Sequence, residues 1–327
     1  MATTTTDPKP ELTRKDFMSD QEVRWCPGCG DYAILATMQR TLPELGATRE
    51  NTVFVSGIGC SSRFPYYMET YGFHSIHGRA PGFASGLKIA RPELDVWLVT
   101  GDGDGLSIGG NHLLHVLRRN IDLQILLFNN QIYGLTKGQV SPTSLLGTRS
   151  PSTPYGSVDE PVGPAQFAIG AKARFVARGI DTSVKTLGSL FERAYHHKGA
   201  SFVEILQNCP VFNDGVFANV TDRKVASDSQ LWVEHGEPLL YGASRKRGIR
   251  LRPGTMELES VTVGENGITE SDVLVHDEKN RVLAFMLAEL AHPAFPVAFG
   301  VLFCDPAPRA YERAVLAQTE SVIKRLG

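Results

Sequence analysis

The chain has 327 residues, 42% hydrophobic and 21% charged, and its 33 basic and 35 acidic side chains leave a formal charge of −2. That profile belongs to a folded chain with a sizeable core and excludes a disordered segment, a basic clamp for nucleic acid and a surface drawn to anionic membranes. No apolar run approaches the roughly 20 residues of a membrane span, and the opening MATTTTDPKPELTRKDF lacks the apolar stretch of a secretory signal.

A cytoplasmic location is therefore expected, where cysteines bind metal or carry redox chemistry more often than they form disulfides. Residues 1–19 read as a mobile tail. Asp31 can cap a helix over residues 32–45, with Ile34, Leu35, Met38 and Leu42 on one stripe. TVFVS at 52–56 predicts a strand ended by Gly57-Ile58-Gly59, and DVWLVT at 95–100 a second strand running into Gly101-Asp102-Gly103. A helix is expected over 107–119, and the almost wholly apolar LQILLF at 123–128 suits a strand covered on both faces. A fourth strand begins at Phe175-Val176, a helix follows over 186–197, and SFVEIL at 201–206 is a fifth strand. This alternation predicts an α/β fold, a parallel sheet with helices on both faces. Residues 137–163, rich in Ser, Thr, Pro and Gly, form a long loop of the kind that is functional or disordered. Residues 20–240 are read as the main domain. Residues 241–327 are read as an irregular C-terminal extension that packs on a partner, with one amphipathic helix over 277–290.

Ligands of such sheets bind beyond the carboxyl ends of the strands, and that is where the unusual residues fall. Gly101-Asp102-Gly103 follows one strand and Asn129-Asn130 ends the next. Asp102 offers an anionic oxygen and Asn130 a neutral one. With a backbone carbonyl and two diphosphate oxygens they could complete an octahedral magnesium shell. Glycines admit a close phosphate, and the expected helix start near Ser107 offers free N–H groups. A lone Gly-Asp-Gly is weak, but its pairing with Asn-Asn after an intervening helix and strand is more specific. No Gly-x-Gly-x-x-Gly and no Walker A sequence follows a strand.

Cys26 and Cys29 form a C-x-x-C, while Cys60 and Cys209 stand singly after strands. The residues alone leave a zinc site and an iron–sulfur cluster both open, and disfavour a thioredoxin-like dithiol for want of its context. Cys304 reads as a buried hydrophobe. His112 and His115, at i and i+3, read as one packed helix face, since no third ligand is near.

The segments WCPGCGDYAIL at 25–35, GIGCSSRFPYY at 57–67, HSIHGRAPGFASGLK at 74–88 and NNQIYGLTKGQ at 129–139 narrow the reading. With the Gly-Asp-Gly they resemble the β subunit of 2-oxoacid:ferredoxin oxidoreductases, particularly the 2-oxoglutarate type, over about residues 20–215. The resemblance implies a thiamine diphosphate-binding fold in which Asp102, Asn130 and the Ile132 carbonyl hold Mg2+. Gly103, Asp104, Gly134 and Leu135 would line the diphosphate. Ile58, Gly59, Cys60 and Ser61, with His74, Ser75, Ile76, His77, Gly78 and Arg79, would line the thiazolium side. It also implies a [4Fe–4S] cluster on Cys26, Cys29, Cys60 and Cys209.

The activity so implied is oxidative decarboxylation of a 2-oxoacid to acyl-CoA and CO2, with single electrons leaving through the cluster to ferredoxin. The glutamate that thiamine enzymes set against the aminopyrimidine ring resembles one carried by the partner α subunit, so activity is expected only with that subunit. Arg63 and His77 are the candidate catalytic residues. Arg63 is the candidate for gripping a substrate carboxylate, where some relatives carry lysine. Pyruvate or a broad 2-oxoacid range, and a non-oxidative thiamine enzyme with structural zinc, are the alternatives.

Overall fold

The computed structural model describes residues 12–306 and 310–326. The elements run α1 (Asp31–Glu44), β1 (Thr52–Ser56), β2 (Tyr71–His74), α2 (Ala80–Ala90), β3 (Asp95–Gly101), α3 (Asp102–Leu106), α4 (Gly110–Arg119) and β4 (Gln124–Asn129). Next come α5 (Pro164–Gly170), β5 (Phe175–Ile180), α6 (Val184–His196), β6 (Ser201–Leu206), α7 (Ala218–Thr221), α8 (Ala226–Ser229) and β7 (Gln230–Val233). The chain ends with β8 (Leu240–Tyr241), β9 (Arg247–Leu251), β10 (Leu258–Thr262), α9 (Arg281–Glu289), β11 (Val297–Cys304) and α10 (Tyr311–Leu326).

Eight strands form one sheet in the order β2-β1-β3-β4-β6-β5-β11-β7, and β8, β9 and β10 form a small antiparallel sheet. The first six are mutually parallel, as expected, while β11 pairs antiparallel with β5 and parallel with β7. Successive side chains of a strand point to opposite faces, and the core divides accordingly. Val96, Leu98, Ile125 and Leu127 pack under α2, α4, α5 and α9. Trp97, Val99, Leu126 and Phe128 pack under α1 and α6 on the other face. Each such apolar side chain contributes about 1.5–3 kcal/mol by burial.

Three expectations are corrected. The tail does not stay free through residue 19: Thr13 and Asp16 cap a 3-10 turn at Arg14–Phe17, and Phe17 is wholly buried. Residues 1–11 lie outside the described residues, as does Pro308, the end of an apolar, Pro-rich segment read from about Pro293. The helix expected over 107–119 begins later, as α4 at Gly110, and a short helix precedes it. α3 starts at Asp102, and the chain turns at Ser107–Gly109 because Gly109 packs backbone to backbone on Gly78, where a Cβ on Gly78 would lie 2.5 Å from the Gly109 nitrogen. The C-terminal extension is neither irregular nor separate, since its apolar VAFGVLFC run inserts as β11 into the main sheet.

A charged pair hid much of β5. Arg178 interrupts its apolar run but is buried against Glu204, its register partner on β6, at 2.8 Å. Among the described residues no helix is long and apolar enough to cross a membrane.

Candidate active site

The chain passes from β1 outward to β2 and returns through α2 to β3 on the other side of β1. Such a reversal opens a crevice at the carboxyl ends of the two strands. The loops after β1, β3 and β4 converge there around a cavity of about 100 Å³. Of the expected site residues, Ile58 to Ser61, His77, Asp102, Gly103, Asp104, Asn130, Ile132, Gly134 and Leu135 line it.

Asp102 is buried, and its Oδ2 accepts from Ser141 Oγ at 2.5 Å and Thr143 Oγ1 at 2.6 Å. Burial pushes its carboxyl up to about 6, against the pull of those two hydroxyls. Both donors belong to the long loop after β4, and neither residue was singled out. Among the described residues Asn130 Oδ1 accepts only the Ile132 N–H, at 3.2 Å, and its Nδ2 donates to Gln207 Oε1 at 2.8 Å. A carboxylate, an amide oxygen with a lone pair to spare and a nearby backbone carbonyl are the hard oxygen donors that Mg2+ takes, so the residues fit that ion.

Asp104 lines the cavity and also joins loops. Its carboxylate accepts from Ile58 N at 3.1 Å, Gly78 N at 2.8 Å and Thr100 Oγ1 at 2.7 Å, and meets His77 Nδ1 at 2.5 Å. It therefore clamps the loops after β1 and β2 to the end of β3. Gly57 must be glycine for this, since a Cβ there would sit 1.9 Å from Asp104 Oδ2. Gly103 is likewise occupied by protein: the Tyr133 ring lies where a Cβ would reach within 2.3 Å, and Tyr133 Oη donates to the Gly103 carbonyl at 2.8 Å. Nothing about Tyr133 in the sequence marked it beyond its place in the motif.

Arg63 and His74 line a neighbouring cavity of about 460 Å³ that shares Ile58, Gly59 and Leu135 with the first. The Arg63 guanidinium donates to the Arg24 carbonyl at 3.3 Å and makes no ion pair among the described residues, so a carboxylate could still claim it. Ser75 spends its hydroxyl and its N–H on the Ser56 carbonyl, holding the loop rather than facing a ligand. Ile76 and Arg79 are not brought into the cavity. They face a separate apolar groove with Phe73, Phe83 and His112, and Arg79 donates to the Ile108 carbonyl at 3.0 Å.

Two of the four expected cysteines, Cys60 and Cys209, stand beside Gly134. A Cβ on that glycine would stand 3.5 Å from Cys209 Sγ and 3.7 Å from Cys60 Sγ. Burial first, then the Asp31 carboxyl, raises the thiols of Cys29 and Cys60, the latter to about 11, and the neighbouring sulfurs add to both. Thiols raised in this way suit a cationic metal group, and four thiolates are the ligand set that a [4Fe–4S] cluster takes. Among the described residues no three His, Cys, Asp or Glu side chains stand close enough together to grip a single ion. Cys304 lies elsewhere, half-buried and paired with Phe175 at the opposite end of the sheet.

Residues 57–205 match the family described as thiamine pyrophosphate enzyme, C-terminal TPP binding domain. That range holds every proposed magnesium and diphosphate residue and Cys60, while Cys26, Cys29 and Cys209 flank it. The chain is 56% identical to the 2-oxoglutarate oxidoreductase subunit KorB of Mycobacterium tuberculosis over 279 residues, covering 85% of this chain and 74% of that one. It is 43% identical to the 2-oxoacid:ferredoxin oxidoreductase subunit beta of Saccharolobus solfataricus over 203 residues, 62% of this chain and 67% of that one. Its fold is similar to a solved 2-oxoglutarate:ferredoxin oxidoreductase from Magnetococcus marinus, determined with 2-oxoglutarate, coenzyme A and succinyl-CoA bound. The TM-score is 0.76 at 32% identity over 96% of this chain and 91% of that one. By its sequence, its sheet and its crevice, this chain belongs to the β-subunit family of the 2-oxoacid:ferredoxin oxidoreductases, with a thiamine diphosphate-binding domain at its centre.

Proposed function

We propose that this chain is the thiamine- and electron-carrying subunit of a 2-oxoglutarate:ferredoxin oxidoreductase. The complex would convert the 2-oxoacid and coenzyme A to acyl-CoA and CO2 while ferredoxin takes the electrons. The observation that carries this reading is Gly134, which lines the cofactor cavity together with Cys60 and where a Cβ would stand within 3.7 Å of both Cys60 Sγ and Cys209 Sγ. The substrate follows the relatives, two of which are named for 2-oxoglutarate.

Thiamine diphosphate, when bound, supplies the carbanion-stabilising chemistry of decarboxylation, and a [4Fe–4S] cluster accepts electrons singly. The chain's own residues do the rest. Asp102, Asn130 and the Ile132 carbonyl hold Mg2+, and Ser141 and Thr143 fix the Asp102 carboxylate. Asp104 ties His77 by Nδ1, leaving Nε2 without a protein partner among the described residues. Arg63 offers a cation to a substrate carboxylate in the larger cavity. Cys26, Cys29, Cys60 and Cys209 ligate the cluster. The side chain that meets the aminopyrimidine ring comes from the α subunit.

The test is to purify the chain anaerobically with its partner subunit, measure iron and thiamine diphosphate, and assay 2-oxoacids with coenzyme A and ferredoxin. The reading expects about four irons per chain, fastest turnover with 2-oxoglutarate, and no turnover by the chain alone. Stoichiometric zinc, or activity without the partner, would contradict it.

A further inference from the structure

Gln207 stands between the two candidate centres and touches both. It follows β6, is buried, and is held by its own backbone N–H on the Asn129 carbonyl at 2.9 Å. Its Nε2 meets the Asn208 carbonyl at 2.5 Å and Cys29 Sγ at 3.2 Å, while its Oε1 accepts from Asn130 Nδ2 at 2.8 Å.

The polarity of this chain of contacts is not free. A carbonyl oxygen only accepts, so the end of Gln207 that faces Asn208 must be the NH2 group. One of its hydrogens is then taken by Asn208 and the other points at Cys29 Sγ. The oxygen end is left for Asn130, which must answer with its own NH2. Asn130 Oδ1 is thereby turned to the side where, among the described residues, it meets only the Ile132 N–H and keeps a lone pair. One backbone carbonyl thus orients two carboxamides, placing an N–H on a sulfur at one end and an oxygen donor at the other. The site is built tightly around this side chain, since a Cβ on Gly30 would fall 2.9 Å from Gln207 Cγ.

We infer that Gln207 is a positioning residue that serves both centres at once. Its N–H···S bond stabilises the reduced, more negative cluster, and its Oε1 holds Asn130 in the orientation that binds Mg2+. This rests on the functional reading above. Hydrogen bonds to cluster sulfurs raise the reduction potential, and outer partners of metal ligands tune affinity.

The experiment uses the full chain co-purified with its partner subunit, comparing the parent with Gln207→Leu and Gln207→Glu. It measures iron content, the cluster midpoint potential by EPR-monitored titration, and thiamine diphosphate affinity at fixed Mg2+ by calorimetry. Gln207→Leu removes both contacts without adding charge. It should shift the one-electron equilibrium about tenfold toward the oxidised cluster, about 59 mV more negative, and weaken cofactor binding about tenfold.

Gln207→Glu, its carboxyl protonated against the Asn208 carbonyl, keeps an acceptor for Asn130 and loses the donor to sulfur. It should lower the potential at least as far while cofactor affinity stays within about twofold of the parent, as expected for an acceptor retained. It is also the variant that preserves the packing and decides the matter if the leucine form misfolds. Iron-loaded variants with the parent's potential would overturn the inference by itself. An iron-free parent complex would overturn the cluster reading and the sulfur contact with it.

Discussion

Thr143→Val removes one of the two hydroxyls that donate to Asp102 Oδ2 while keeping the shape of a side chain that is almost wholly buried. A hydrogen bond to a charged group is worth about 1.5–3 kcal/mol, and at about 1.36 kcal/mol per pKa unit its loss lifts a carboxyl by about one to two units. Asp102 already stands at about 6 because it is buried. In the variant a proton would therefore compete with Mg2+ at neutral pH, where in the parent it does not. The lost orientation of the carboxylate adds to this, and second-shell changes of this kind typically cost 10–100-fold in metal affinity. The assay is calorimetric titration of the cofactor-stripped complex with thiamine diphosphate at fixed Mg2+, at pH 6.5, 7.5 and 8.5. The variant should bind at least about tenfold more weakly at the lowest pH, with the gap narrowing as pH rises. Equal affinities at pH 6.5, or a gap that widens toward pH 8.5, would refute the reasoning.

Cys209→Ala should leave the complex with less than one iron per chain, against about four in the parent, by colorimetric iron analysis; full iron retention would exclude Cys209 as a ligand. Arg63→Ala should raise KM for the 2-oxoacid by about 10–100-fold, the worth of a charge-assisted contact, with Arg63→Lys intermediate; steady-state kinetics with unchanged KM would remove Arg63 from the substrate site. Asp31, raised to about 7 by burial and by the nearby Asp181 carboxyl, binds more protons folded than unfolded. Its contribution to stability is complete below about pH 4 and is lost as pH rises through about 7. Asp31→Asn should accordingly gain on the metal-free parent in urea denaturation as pH goes from 5 to 8, and parallel stability curves would contradict this.

The parallel half of the fold was legible because β1, β3, β4 and β6 are apolar runs punctuated by glycine or asparagine, and α1 and α6 carry clean stripes. β2 was not, since all four residues of this edge strand are exposed and give no alternation to read. β11 lay hidden in a Pro-rich stretch, and its antiparallel pairing with β5 is a long-range choice that no local pattern encodes. At the site, strand ends pointed to Asp102 and Asn130 as oxygen donors, while the Ile132 carbonyl and the four-cysteine set came from the family resemblance. The sequence missed Ser141, Thr143, Tyr133 and Gln207, whose roles come from what they touch. Nor did it show that Asp104 and Ser75 join loops and that Gly103 seats an aromatic ring.

Anomalous diffraction at the iron absorption edge, from crystals of the two-subunit complex loaded with thiamine diphosphate and Mg2+, probes the juxtaposition of the two centres most directly. The account predicts one compact iron peak enclosed by Cys26, Cys29, Cys60 and Cys209, against Gly134, with the cofactor on that glycine's other side. Iron at the Cys304 end of the sheet, or a zinc edge at the four cysteines, would contradict it.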